Sequence, residues 1–295
     1  MQLAMMIPLS LLAGAGYALA ALFFKTALRG GINLWHVVGI SNIVLGFVFL
    51  IPWFSLHGSL PMQFSAAACA AGSLFFVGQL LNVIAIAKGD VSVATPMLGV
   101  KVLLVAVFSA VLINERISWQ IWLGGVLTFI AVILLQGRFQ ILNRRILGCV
   151  ALAFLSCVAY ALVDVITQKH ASQQPSGEFL VQTYSLNALL SLVFLPGFLN
   201  SVRPNGYGTW ISLGGGSLVY AGAVAGISYS IANFGNATLV NILYASRGLW
   251  SVFLVWAVGK SWADAKEMAT RMEMLCRLSA CILIIGAILL ALSRH

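Results

Sequence analysis

Apolar residues run through this chain in long stretches, broken by short polar gaps. A helix needs about 20 residues to cross the hydrocarbon core of a bilayer. That ruler gives ten runs, at 5–24, 33–54, 64–87, 91–113, 119–137, 146–168, 178–199, 209–233, 237–259 and 274–293. Helix is the assignment they permit. An open sheet would leave backbone groups unpaired in lipid, and the runs are too long and too continuously apolar for barrel strands. The gaps carry turn residues, as in Lys88-Gly89-Asp90 and Phe234-Gly235-Asn236. The longest gap, Lys260–Glu273, pairs Glu267 with Arg271 and leads into Glu273 and Arg277; this four-residue spacing favours a short solvated helix. The pattern predicts an all-α integral membrane protein.

The runs repeat. Gly89–Glu115 aligns without a gap on Gly235–Ser261, which puts Lys101 on Arg247. Gly16-Tyr17-Ala18-Leu19 matches Ala159-Tyr160-Ala161-Leu162, and Asn42 with Val48-Phe49-Leu50 matches Asn187 with Val193-Phe194-Leu195. Ala131-Val132-Ile133-Leu134-Leu135 matches Gly286-Ala287-Ile288-Leu289-Leu290, at a larger offset that places extra residues in the Lys260–Glu273 gap. Five crossings is an odd number, so the second half must enter from the opposite side. The expectation is ten transmembrane helices in two inverted five-helix repeats, 1–143 and 144–295, with a site near the midplane between them. Gly14, Gly16, Gly72, Gly78, Gly124-Gly125, Gly214-Gly215-Gly216 and the pair Gly222 and Gly226 read as close-packing surfaces.

Composition agrees. Hydrophobic residues make up 61% of the chain and charged residues 8%, against about 25% charged in soluble domains. The net charge of +9 lies mostly in the gaps rather than in a basic stripe, so no nucleic-acid partner is expected. Ten Lys and Arg follow odd-numbered runs, whereas Arg116, Lys169 and Arg294 follow even-numbered ones. The positive-inside rule then puts the odd gaps in the cytoplasm and both termini outside. Trp53, Trp119, Trp210 and Trp262 near run ends suit an aromatic belt. The first run has no charged leader and reads as a retained helix. The five cysteines sit in or beside apolar runs, with no CxxC spacing and no histidine cluster. Neither a disulfide framework nor a metal site nor a cofactor is expected.

Three formal charges lie well inside apolar runs: Lys101, Asp164 and Arg247. A charge at the centre of a bilayer costs about 2.5–3.5 kcal/mol on insertion scales. Lys101 and Arg247 are too deep for their side chains to reach the interface unaided. They are candidate substrate ligands, with an internal ion pair as the alternative. Asp164, near the end of its run, is a candidate partner for either cation, a candidate coupling group, or an interfacial carboxylate held by water. Two bases and one acid leave a net positive charge, which favours an acidic cargo. Arg offers a planar fork for carboxylate or phosphate, and Lys a point charge. Tyr17 and Tyr160, equivalent under the repeat, are favoured as stacking or hydrogen-bonding groups, with Tyr244, Asn82 and Asn187 as further orienting contacts. An interhelical hydrogen bond is the competing role for each.

Ala87-Lys88-Gly89-Asp90 with Ala94-Thr95-Pro96-Met97, then Leu112-Ile113-Asn114-Glu115, then Trp119–Leu135 with Gly124-Gly125, form a distinctive end to the first half. In these motifs the chain resembles the drug/metabolite transporter superfamily, in its EamA-like ten-helix branch. The resemblance implies two inverted five-helix repeats, a central cavity, and export or exchange of metabolites. In phosphate-handling relatives, basic residues on helices four and nine contact the anion, the helices that carry Lys101 and Arg247 here. Two departures stand out. Ser261 occupies the place of the second half's glutamate, and the family keeps both termini in the cytoplasm, opposite to the charge count.

The expectation is therefore a multi-pass protein of the cell membrane, embedded among lipids as a monomer or homodimer. It would act as a secondary transporter of a small anionic or zwitterionic metabolite such as an amino acid, carboxylate or phosphorylated compound, with protons as a candidate coupling ion. The alternative is a lipid or lipid-carrier flippase, or an assembly partner without small-molecule cargo. No enzyme is expected, because no two acids cluster on a crossing helix to hold a metal or place a base.

Overall fold

The computed structural model describes residues 2–59, 63–88, 99–136, 144–171, 173, 175–194, 206–262 and 271–293. Among these the chain is all-helical, without a strand. The helices are α1 (Gln2–Arg29), α2 (Leu34–His57), α3 (Ala66–Lys88), α4 (Val100–Leu112), α5 (Trp119–Gln136), α6 (Arg144–His170) and α7 (Ser176–Ser191). After one 3₁₀ turn at Leu192–Phe194 come α8 (Tyr207–Phe234), α9 (Ala237–Tyr244), α10 (Arg247–Trp262) and α11 (Arg271–Leu292). Residues 89–98, which include Pro96, and Glu267 in the long gap lie outside the described residues, as do the side chains of Glu273 and Arg277.

Among the described residues, six helical stretches are long and apolar enough to cross a membrane: Ala4–Arg29, Leu34–His57, Ala66–Ala85, Leu147–His170, Tyr207–Phe234 and Ala237–Leu254. Val100–Leu112, Trp119–Leu135 and Leu278–Leu292 are shorter apolar helices. Large apolar side chains such as Leu12, Phe47, Leu56 and Ile282 stay exposed. A contiguous greasy exterior is what a lipid-facing surface requires, and the chain is a helical membrane protein.

Local chemistry sets the turns. Asn33 caps α2 by accepting from the Trp35 N–H. The Gly-Asn turn anticipated at Phe234-Gly235-Asn236 is present. Gly235 closes α8 in the left-handed region at φ 64°, and the Asn236 side chain caps α9 by accepting from the Leu239 N–H. The ninth run, expected to be one helix over 237–259, is instead broken. The Ala245 N–H donates to the carbonyls of Asn241 and Ile242, and the Ser246 N–H to Leu243 at 3.1 Å. The shift to i→i−3 bonding tightens the chain, and a new helix starts at Arg247. Gly14 of α1 crosses at this break. A Cβ there would sit 2.8 Å from Ser246 Oγ and 3.1 Å from the Arg247 backbone N.

The packing pairs are α1 with α8, α3 with α6, α2 with α7 and α5 with α11. α4 lies against α6 and α9, and α1 against α9 and α10. Every residue of α9 from Ala237 to Tyr244 is buried, as expected of a helix that is apolar all round. Its Leu239, Val240, Ile242 and Leu243 belong to one core cluster; Phe179, Leu180 and Tyr184 of α7 belong to another. In lipid, helices associate by close packing and polar ties. Gly78 lets α6 approach, with Ala159 Cβ 3.4 Å from where its own Cβ would stand. Gly16 does the same for α8, with Ala223 Cβ also at 3.4 Å. Gly222, by contrast, has open space around it, whereas Gly226 meets Ala13. Asn42 donates to Ser191 Oγ at 2.9 Å and accepts from Gln79 Nε2 at 3.0 Å, linking α2, α3 and α7.

Candidate functional site

A cavity of about 250 Å³ lies among α1, α2, α3, α4, α6, α7 and α8 and the α9–α10 break. It is just below the roughly 300–1,000 Å³ common for small-molecule pockets. Its lining runs from Lys101 and Arg247 to Leu28 and Leu34 beside the α1–α2 turn. Most of the wall is aromatic or aliphatic, with Gln79, Asn82, Asp164 and Ser228 among the polar members.

The two cations enter it in the same way. Lys101 is in the first turn of α4, after Gly99 at the N-cap, and Arg247 is the first residue of α10. The backbone at these starts is already bonded: the Val102 N–H donates to the Gly99 carbonyl, and the Gly248 and Trp250 N–H groups donate to the carbonyls of Ala245 and Ser246. The positive charge offered to an anion is therefore that of the two side chains. Lys101 Nζ stands 6.0 Å from the centre of the Tyr160 ring, and the Arg247 guanidinium 5.1 Å from that of Tyr17. Each cation thus lies over a tyrosine from the other half of the chain.

Their polar partners differ. Lys101 Nζ pairs with Asp164 Oδ2 at 2.7 Å, and Asn241 Nδ2 donates to the same oxygen at 2.7 Å. Arg247 Nη1 donates to Tyr244 Oη at 3.3 Å, with the Tyr244 ring 4.8 Å away. Among the described residues no carboxylate pairs with Arg247. Tyr17 is 5.7 Å from Tyr244, edge to face, and 5.9 Å from Tyr220. Among the described residues, no group of three or more His, Cys, Asp or Glu side chains is arranged to hold a metal ion.

The structure brings Lys101, Arg247, Tyr17, Tyr160, Tyr244, Asn82 and Asp164 onto one cavity wall. Asn82 Oδ1 is buried there with no hydrogen-bond partner in the protein, so it is an acceptor left to water or cargo. Asn187 is not part of that wall; it is fully buried in α7 with both side-chain polar atoms unpartnered. Tyr220 was not anticipated. It accepts from Gln79 Nε2 at 2.6 Å and packs on Tyr17 and Phe24. The repeat carries the signal for it. Shifting Phe75 by the offset that relates Asn42 to Asn187 gives Tyr220, and Phe75 packs on Tyr160 as Tyr220 packs on Tyr17.

Beyond the site, one end of the bundle is tied. Gln168 Nε2 donates to Glu115 Oε2 at 3.0 Å and to the Gly235 carbonyl at 2.8 Å, while Gln168 Oε1 accepts from the Ala237 N–H at 2.8 Å. These bonds join the ends of α4, α6 and α8 to the start of α9.

Residues 4–136 match the EamA-like transporter family. The match covers the first five apolar runs. A search of the curated proteins gives no match. One solved structure, described only as the crystal structure of a protein, superposes with a TM-score of 0.76 at 18% identity, covering 98% of this chain and 99% of that one. At that identity the likeness shows the fold alone. The matched family is one of transporters.

Proposed function

We propose that this chain is a secondary active transporter, an exporter or exchanger, of a small metabolite with an acidic group, working by alternating access. The ten crossings would form two inverted repeats, 1–143 and 144–295, that rock about the cavity. One observation carries the reading: cations at equivalent places in the repeat, Lys101 and Arg247, face one hollow from the starts of two half-helices. Half-helix N-termini at the midplane are a recurrent way for transporters to hold an anionic group.

The packing supports the repeat. Exchanging helix one for six, two for seven, three for eight, four for nine and five for ten turns α1–α8 packing into α6–α3 packing. It likewise turns α4–α6 packing into that of α9 and α10 on α1. The glycine contacts obey the same exchange, Gly16–Ala223 becoming Ala159–Gly78. The small cavity fits a compact metabolite better than a lipid. The Glu115–Gln168–Gly235 tie closes one end, while the lining reaches toward the α1–α2 turn at the other.

The experiment is uptake into proteoliposomes of labelled carboxylates, phosphorylated compounds and amino acids, with and without a pH gradient. The proposal expects saturable uptake of at least one acid-bearing compound. Uptake confined to cations or neutral solutes would overturn it.

A further inference from the structure

We propose that Asp164 is a built-in counter-ion that fills one of two anion positions in the cavity, so that the cargo is a simple monoanion with an apolar body, held at Arg247. This inference rests on the transporter reading and narrows its cargo. The repeat supplies two cations at equivalent places, which by themselves would suit a dianion. One of them is already answered. The Asp164 carboxylate takes Lys101 at 2.7 Å and Asn241 at 2.7 Å through the same oxygen, and the paired side chains are only 11% and 18% exposed.

The repeat shows that this acid is an addition. The offset that relates Tyr160 to Tyr17 carries Asp164 to Ala21, which also lines the cavity. Among the described residues Arg247 therefore lacks the partner that Lys101 has. Its described polar contact is the Tyr244 hydroxyl, and its other neighbours are the Tyr17 and Tyr244 ring faces. A guanidinium held by rings keeps its donor fork for an incoming carboxylate.

A second negative group on the cargo would meet Asp164 and would have to displace it from Lys101. A cationic group, such as the ammonium of a zwitterion, would find the one acid on the described wall already bonded twice. Beside the carboxylate position at Arg247, where a zwitterion's ammonium would sit, the Tyr17 and Tyr244 rings already hold the guanidinium. Most of the wall left for the rest of the cargo is apolar, including Phe24, Phe75, Val83 and Ile227, with the unpartnered Asn82 Oδ1 as an acceptor. The composite fits an aromatic or branched monocarboxylate.

The test uses full-length protein and three probes of similar size, phenylacetate (monoanion), phenylalanine (zwitterion) and phthalate (dianion), by binding titration in detergent and uptake in proteoliposomes. Phenylacetate is expected to bind at least tenfold tighter than either other probe. In Asp164→Asn, which frees Lys101, the phthalate-to-phenylacetate preference should rise at least tenfold. Should that variant fail to fold, Ala21→Asp provides the mirror test. It gives Arg247 its own carboxylate and should weaken phenylacetate binding at least tenfold. Tighter binding of phthalate or phenylalanine by the natural protein, or an unchanged preference in Asp164→Asn together with unchanged binding in Ala21→Asp, overturns the counter-ion role and leaves the transporter reading standing. No binding or transport of any anion overturns both.

Discussion

At the residue scale, the lysine–aspartate pair is where the chain has most to lose. Removing one partner of a buried ion pair leaves an uncompensated charge, at about 3–5 kcal/mol. Lys101→Gln strands Asp164 between a neutral amide and Asn241, and the melting temperature in detergent should fall clearly. Lys101→Gln with Asp164→Asn should recover most of the loss, because nothing charged is then left behind. Equal melting of the single and double variants would show that the pair is not energetically coupled. The charged residues of the site were legible because a charge in an apolar run is conspicuous. Tyr17 and Tyr160 were legible through the repeat. Tyr220 was not, because a tyrosine in an apolar helix has many structural uses and only its match to Phe75 distinguishes it. Asn187 shows the reverse error. Its counterpart Asn42 ties helices together, and equivalence in the repeat did not bring Asn187 to the cavity.

At the element scale, the break between α9 and α10 turns Arg247 from a mid-helix charge into the first residue of a helix. Nothing in the local pattern announces it, since Ala245 and Ser246 are ordinary helix residues. We attribute it to a tertiary contact: α1 passes so closely that a Cβ on Gly14 would crowd Ser246 Oγ and the Arg247 backbone. Gly14→Ala should therefore cost about 1–3 kcal/mol by overpacking and should disturb Arg247, lowering both stability and uptake. Gly222→Ala, with nothing within 4 Å of the added carbon, should do neither. Similar melting and uptake for the two variants would remove the close approach as the reason for the break. The Gln168 tie makes a separate prediction. Interhelical hydrogen bonds in membranes average about 0.6 kcal/mol each, so Gln168→Ala should shift rather than destroy the structure. Labelling of a cysteine placed at Ala237 should become faster, and unchanged labelling would argue against a gate at that end.

At the scale of the whole molecule, ten apolar runs were visible in the sequence, and the helices found among the described residues fall on them. Six are unambiguous by length and composition. α4, α5 and α11 contribute shorter apolar stretches, and α7 is a 16-residue helix with Glu178 and Gln182 in its first half. The ninth run reads as one helix because hydropathy does not register the break between α9 and α10, and the fourth run begins in residues outside those described. Pairing between the halves was less legible than their number. Which helix packs on which emerges only from the three-dimensional arrangement, and there the exchange of the halves preserves the contacts.

The most direct measurement is equilibrium binding of phenylacetate to the natural protein and to Arg247→Gln, with circular dichroism to show that both are folded. Truncating one partner of a buried charge pair costs about 2–5 kcal/mol, so the account predicts at least a roughly thirtyfold loss of affinity in the variant. Equal affinity in the two proteins would contradict it.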